Sequence, residues 1–148
     1  MPEEILIPAP IIVVEDDLDD QFLMQKIFER IGMRIELVFF NNGREALSYL
    51  KETERDTFLI LCDINMPVMN GLELRAHLNA DEALRQKSIP FIFLSTAIRE
   101  RDIQHAYDMT VQGFFQKENS LEQMQEVIAS IVKYWHKSKH PNMLPPSQ

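Results

Sequence analysis

The sequence predicts an α/β fold, a doubly wound five-stranded parallel sheet covered by five helices. Three observations lead there. Short apolar runs alternate with helical stripes along the chain, and the runs are apolar on both faces. The chain's 148 residues, 45% hydrophobic and 26% charged, suit one globular domain. A chain of this length buries roughly 70% of its unfolded surface, enough for a substantial core.

Ile11-Ile12-Val13-Val14 is the first strand, apolar at every position as a strand covered on both sides requires. Phe22, Leu23, Ile27, Phe28 and Ile31 then share one face of a helix, with Gly32 as its stop. A second strand is predicted over Ile35 to Phe39. The turn Asn41-Asn42-Gly43 leads into a helix over Arg44 to Leu50, where Ala46, Leu47 and Leu50 recur. Leu59-Ile60-Leu61-Cys62 is the third strand, and Leu72, Leu74 and Leu78 mark the third helix. Phe91-Ile92-Phe93-Leu94 is the fourth strand, and Ile103, Ala106 and Tyr107 mark the fourth helix. Phe114-Phe115 is a short fifth strand. Ser120 then caps a last helix whose stripe runs through Leu121, Met124, Val127, Ile128, Ile131, Val132 and Trp135. Residues 1–10 and 141–148, rich in proline and poor in periodic signal, read as an N-terminal arm and a C-terminal tail around a domain at 11–140.

Composition narrows the function. With 15 basic and 23 acidic residues the net charge is −8, and no Lys/Arg cluster stands outside the last helix. Direct nucleic-acid binding, which needs such clusters, is not expected. No apolar run approaches the ~18 residues of a membrane span. The start, Met1-Pro2-Glu3-Glu4, lacks the basic patch and apolar stretch of a secretory signal, so a cytoplasmic protein without a membrane partner is expected. The single cysteine, Cys62, excludes an internal disulfide and reads as a small packed hydrophobe. His77, His105, His136 and His140 show no zinc-ligand spacing.

In a doubly wound sheet, function gathers past the carboxyl ends of the strands. There stand Glu15-Asp16-Asp17 after the first strand, Asp63 after the third, Ser95-Thr96 after the fourth and Lys117 after the fifth. Crowded carboxylates repel, so either one takes a proton or a cation sits among them. A hard divalent ion such as Mg2+ answers that need and can neutralise a phosphoryl group. Lys117 and Ser95 offer donors to further oxygens, and a carboxylate can be the nucleophile that forms an acyl phosphate.

Val13-Val14-Glu15-Asp16-Asp17, Asp63 to Gly71, Pro90 to Ser95 and Phe114-Phe115-Gln116-Lys117 together resemble the receiver domain of two-component response regulators. Asn42-Gly43-Arg44-Glu45-Ala46-Leu47 is similar to that family's second crossover, and the likeness covers roughly Ile11 to Val132. The resemblance implies a flavodoxin-like receiver fold with strand order 2-1-3-4-5. It implies that Asp63 accepts a phosphoryl group from a histidine kinase or phosphotransfer protein, with Mg2+ as cofactor. Asp16 and Asp63 would bind the metal directly, the backbone carbonyl of Asn65 would be a third ligand, and Glu15 would act through water. Lys117 and Ser95 would hold the phosphoryl oxygens, and Phe114 would change rotamer with Ser95. Asp17 is assigned to capping the first helix instead. Asn65 and Ala97 would flank the attacking water and tune dephosphorylation.

The expected protein is a stand-alone phosphorylation switch, not an enzyme with a separate substrate. It would dock an unknown target through the face of its fourth helix, fifth strand and fifth helix, with homodimer formation left open. Phytochrome-like or chemotaxis kinases are the analogous upstream partners. Two rivals stand beside this reading. A pseudo-receiver would keep the fold without taking phosphate. A haloacid-dehalogenase-like phosphatase would place its Asp nucleophile after the first strand, with a second Asp two residues on; here the candidate follows the third strand, and Asn65 stands two on. Two departures from the family pattern concern geometry: Glu118 replaces the usual proline after Lys117, and Thr110 stands where glycine is common. The first predicts a trans bond, since a non-proline cis bond costs about 3 kcal/mol.

Overall fold

The computed structural model describes residues 5–143. In chain order the elements are β1 (Ile5–Leu6), β2 (Ile11–Val14), α1 (Leu18–Arg30), β3 (Met33–Arg34), β4 (Leu37–Phe40), α2 (Gly43–Glu52) and β5 (Leu59–Cys62). There follow α3 (Gly71–Ala80), α4 (Glu82–Gln86), β6 (Phe91–Ser95), α5 (Glu100–Asp108), β7 (Gly113–Gln116) and α6 (Leu121–Lys137). The main sheet runs β4-β2-β5-β6-β7, every pair parallel. Counted over its own five strands, this is the expected 2-1-3-4-5 order.

Strand alternation divides the core in two. Ile11, Val13, Leu59, Leu61, Ile92 and Leu94 face α1 and α6, whereas Ile12, Val14, Ile60, Cys62, Phe91 and Phe93 face α2, α3, α4 and α5. This is why the strands read as continuous apolar runs. Side-chain caps start most helices: Asp17 for α1, Asn42 for α2, Asn70 with Glu73 in a capping box for α3, and Ser120 for α6.

Five differences from the sequence reading have physical causes. A sixth helix, α4, is a single turn capped by Asp81 and anchored by buried Leu84, too short to display a stripe. Phe22 is 58% exposed, with the Lys26 ammonium 4.8 Å over its ring. Met24, Ile27 and Phe28 form the inward face of α1 instead. Tyr107 likewise points outward from α5.

The last two differences concern the expected arm and tail. From Ile5 onward the arm is packed: β1 pairs in parallel with β3, and Ile7 and Ala9 are buried in the α1–α6 layer. Its apolar residues alternate with period two, a pattern that Pro8 and Pro10 mask. At the other end, His140 is buried, its Nε2 lies 2.6 Å from the Phe58 carbonyl, and Asn142 Nδ2 donates to the Lys87 carbonyl at 2.7 Å. The tail is thus packed through Met143. Residues 1–4 and 144–148 lie outside the described residues.

Candidate functional site

β2, β5, β6 and β7 end at the same rim, and each contributes the residue just beyond or at its end. Asp63 N donates to the Val14 carbonyl at 3.0 Å and Lys117 N to the Ser95 carbonyl at 2.9 Å, which keeps the four strand ends level. The parallel register therefore brings Glu15, Asp63, Ser95 and Lys117 together from far apart in sequence.

Lys117 is the centre of the charge arrangement. Its ammonium lies 2.6 Å from Glu15 Oε1, 3.0 Å from Asp20 Oδ2 and 3.4 Å from Asp63 Oδ2. Burial disfavours the ammonium, but the hydrogen bond to Glu15, the Glu15 and Asp63 charges and the Asp20 contact outweigh it, holding the lysine above its ordinary range. Glu15 is the deepest of the acids. Burial first, then a hydrogen bond shared with the Asp20 carboxyl, pushes it up to about 9, although Lys117 works the other way. Asp20 is held below its usual value, chiefly by the hydrogen bond from Glu15 and then by Lys117.

Glu15, Asp16 and Asp63 each present a carboxylate oxygen within 4.8 Å of the others'. Glu15 Oε2 is buried and receives no hydrogen bond from the described residues. Asp16 is exposed, which leaves the group an open side. A donor set made only of hard oxygens, one of them deeply buried and the group open to water at Asp16, fits a divalent cation of the Mg2+ or Mn2+ type. Asp63 is fixed in turn by its backbone: its Oδ1 accepts from Ile64 N at 2.7 Å, leaving Oδ2 toward Lys117.

The other predicted residues surround this centre without touching it. Ser95 is buried, and its hydroxyl donates to the Ala97 carbonyl at 3.0 Å. Phe114 is half-buried, its ring 5.8 Å from Phe93 in the layer beneath α5. Asn65 is exposed on the loop after Asp63, and Ala97 is half-buried after Ser95. Asp17 caps α1, its Oδ1 accepting from Asp19 N at 2.8 Å and Asp20 N at 3.1 Å. Cys62 is fully buried, and burial pushes its thiol well above the ordinary range, as a packing residue requires. No peptide bond among the described residues is cis, so Lys117–Glu118 is trans as the sequence predicts. Thr110 takes the left-handed conformation, φ 63°, where glycine is common.

Sequence reasoning missed Asp20. A signal was present: Asp20 lies four residues before Met24 and seven before Ile27, so it occupies the inward stripe of α1. A charged residue on a buried stripe at a sheet's carboxyl rim belongs to the site by position. Arg75 and Asn79 were missed as well. From α3, Arg75 Nε and Asn79 Nδ2 donate to the Met109 carbonyl at 3.0 and 2.9 Å, and Arg75 Nη2 donates to the Thr110 carbonyl at 3.1 Å.

Comparison with known proteins agrees with this geometry. Residues 11–129 match the family model of the response regulator receiver domain. Response regulator Rcp1 of Synechocystis is 28% identical over 133 residues, 86% of this chain and 89% of that protein. Among solved structures, the phosphorylated cyanobacterial phytochrome response regulator RcpA superposes with a TM-score of 0.77 at 32% identity, covering 87% of this chain and 94% of that one. A Mn2+-bound response regulator Rcp1 gives 0.77 at 25% identity, over 94% of this chain and 100% of that one. A receiver domain from Rhodospirillum rubrum gives 0.79 at 26%, over 93% and 100%. Fold, rim chemistry and sequence therefore converge, and the chain belongs to the response regulator receiver domain family of two-component signalling.

Proposed function

We propose that this receiver domain takes its phosphoryl group on Asp63 and acts as a phosphorylation switch that docks a target protein. The observation that carries the reading is the Lys117 ammonium facing the Asp63 carboxylate at 3.4 Å, beside a three-carboxylate group suited to a divalent ion. An Asp63 carboxylate oxygen attacks the phosphorus of a phosphohistidine. The P–N bond breaks, and its electron pair leaves with the imidazole, which takes up a proton. Mg2+, held by Asp16, Asp63 and the Asn65 carbonyl with Glu15 acting through water, would neutralise phosphoryl charge when bound. Lys117 supplies a fixed positive charge to one phosphoryl oxygen. Ser95 supplies its hydroxyl to another by giving up the Ala97 carbonyl.

The readout follows from that exchange. Moving Ser95 off Ala97 loosens the loop into α5, and Phe114 has the adjoining layer to turn into. The target would read α5, β7 and α6, the fourth helix, fifth strand and fifth helix of the five-element count. Exposed Ile98, Tyr107 and Tyr134 give that face apolar contact points. Asn65 and Ala97 flank the path of the attacking water, so Asn65→Arg or Ala97→Glu is expected to alter the phosphate lifetime.

Acetyl phosphate or a phosphorylated phosphotransfer protein with Mg2+ tests the proposal. Wild type is expected to gain one hydroxylamine-sensitive phosphate, and Asp63→Asn none. Labelling of Asp63→Asn at the wild-type level would remove Asp63 as acceptor, and sustained hydrolysis of generic phosphoesters would favour a phosphatase.

A further inference from the structure

We propose that Asp20 is a positioning residue that draws Lys117 away from Asp63 and thereby limits how tightly a phosphoryl group is held. The proposal rests on the phosphoacceptor reading above. A lysine ammonium has three N–H donors. Here they are shared among three carboxyl groups, and the two on the α1 side are the nearer, at 2.6 Å for Glu15 and 3.0 Å for Asp20 against 3.4 Å for Asp63. The weakest of the three contacts is the one the chemistry needs.

Asp20 is held in place for this task. Its backbone N–H is tied to the Asp17 cap at 3.1 Å, and four residues on, Met24 seats α1 in the core. The carboxylate is therefore delivered from a fixed helix turn to the 17%-exposed Lys117 side chain. Glu15 is enclosed at the end of β2, whereas the Asp20 side chain is 41% exposed and can take up water when the lysine leaves. Of the two carboxyl groups on the α1 side that hold Lys117, Asp20 is thus the one that can release it. Unphosphorylated, Asp63 keeps a loosely paired oxygen, which favours nucleophilic attack. Once phosphorylated, the group must win the ammonium from Asp20, so Asp20 sets a resistance that the phosphoryl charge overcomes.

The test is beryllofluoride binding at saturating Mg2+, followed by the amide resonances of the Asp63 and Ser95 backbone, with Mg2+ affinity measured separately. Asp20→Asn is expected to lower the half-saturating beryllofluoride concentration about three- to fivefold, the scale of a partly exposed ion pair. In a Lys117→Ala background the same substitution should change nothing, and Asp20→Glu should restore the wild-type value. Unchanged or weaker binding in Asp20→Asn overturns the proposal, as does an effect that persists without Lys117. Asp20→Ser gives the same comparison should Asp20→Asn fold poorly. If wild type takes neither beryllofluoride nor phosphate while remaining folded, the phosphoacceptor reading itself fails and this proposal with it.

Discussion

Gly71 and Asp63 are packed backbone against backbone. A methyl group on Gly71 would run into the Asp63 carbonyl oxygen and the Phe93 ring, and the Gly71 N–H donates to the Ile64 carbonyl at 2.8 Å. The first turn of α3 is thus the platform on which Asp63 stands. Gly71→Ala is expected to cost about 1–3 kcal/mol by overpacking. It should also lower phosphate uptake by displacing Asp63. Urea denaturation and hydroxylamine-sensitive labelling measure the two effects separately.

Glu15 makes the metal-free protein sensitive to pH. Its carboxyl stands near 9 in the folded state against an ordinary 4.5. Between those values the folded state binds more protons than the unfolded one, so stability falls as pH rises through the window. Asp20 is shifted downward from 3.8 and acts below the window, and Lys117 is shifted upward from 10.5 and acts above it. With a chelator present, urea midpoints should therefore decline from pH 5 to 9 in wild type, and Glu15→Gln should flatten the decline. A decline unchanged in Glu15→Gln would assign it to other groups.

Arg75 pins the far end of α5. Its guanidinium reaches the Met109 and Thr110 carbonyls and lies over the Phe91 ring at 5.4 Å, next to a backbone held left-handed at Thr110. Arg75→Ala is expected to lose about 1.5–3 kcal/mol, the scale of hydrogen bonds from a charged group. Amide exchange should quicken at Met109 and Thr110 while β2 and β5 stay protected.

His140 closes the end of the sheet away from the Asp63 rim. Its Nδ1 accepts from Asn142 N at 3.0 Å, so Nε2 carries the proton donated to Phe58 O. The ring stacks on Phe58 at 5.2 Å and meets Trp135 at 6.2 Å. His140→Ala is expected to cost about 1–3 kcal/mol. It should also shift Trp135 fluorescence to the red, whereas His140→Phe should keep the emission nearer wild type.

The main sheet was legible because its strands are buried on both sides, so each wrote an unbroken apolar run into the chain. Glu15, Asp16, Asp63 and Lys117 were legible because parallel strands deliver their final residues to one rim. Apart from Asp20, what escaped lacked a periodic or positional mark. A one-turn helix at Glu82–Gln86 has no room for a stripe. Ile5 and Ile7 alternate over too short a span, between prolines, to be told from a linker. Phe22 sits near enough to the α1 stripe to be counted with it, yet its angular offset from Ile27 turns it to solvent. Arg75, Asn79 and His140 act through carbonyls 30 or more residues away in the chain, a relation no local pattern records.

The two phenyl rings of β7 look in opposite directions, Phe114 into the layer shared with α5 and Phe115 into the layer beneath α1 and α6. The sheet between them works as a bulkhead. In the proposed switch, a rearrangement around Phe114 would run along the α5 side, whereas α1 and the carboxyl groups that it and β2 present to Lys117 lie on the other side of the sheet. On the phosphorylation reading proposed above, one flank would thus flex without loosening the chemistry on the other.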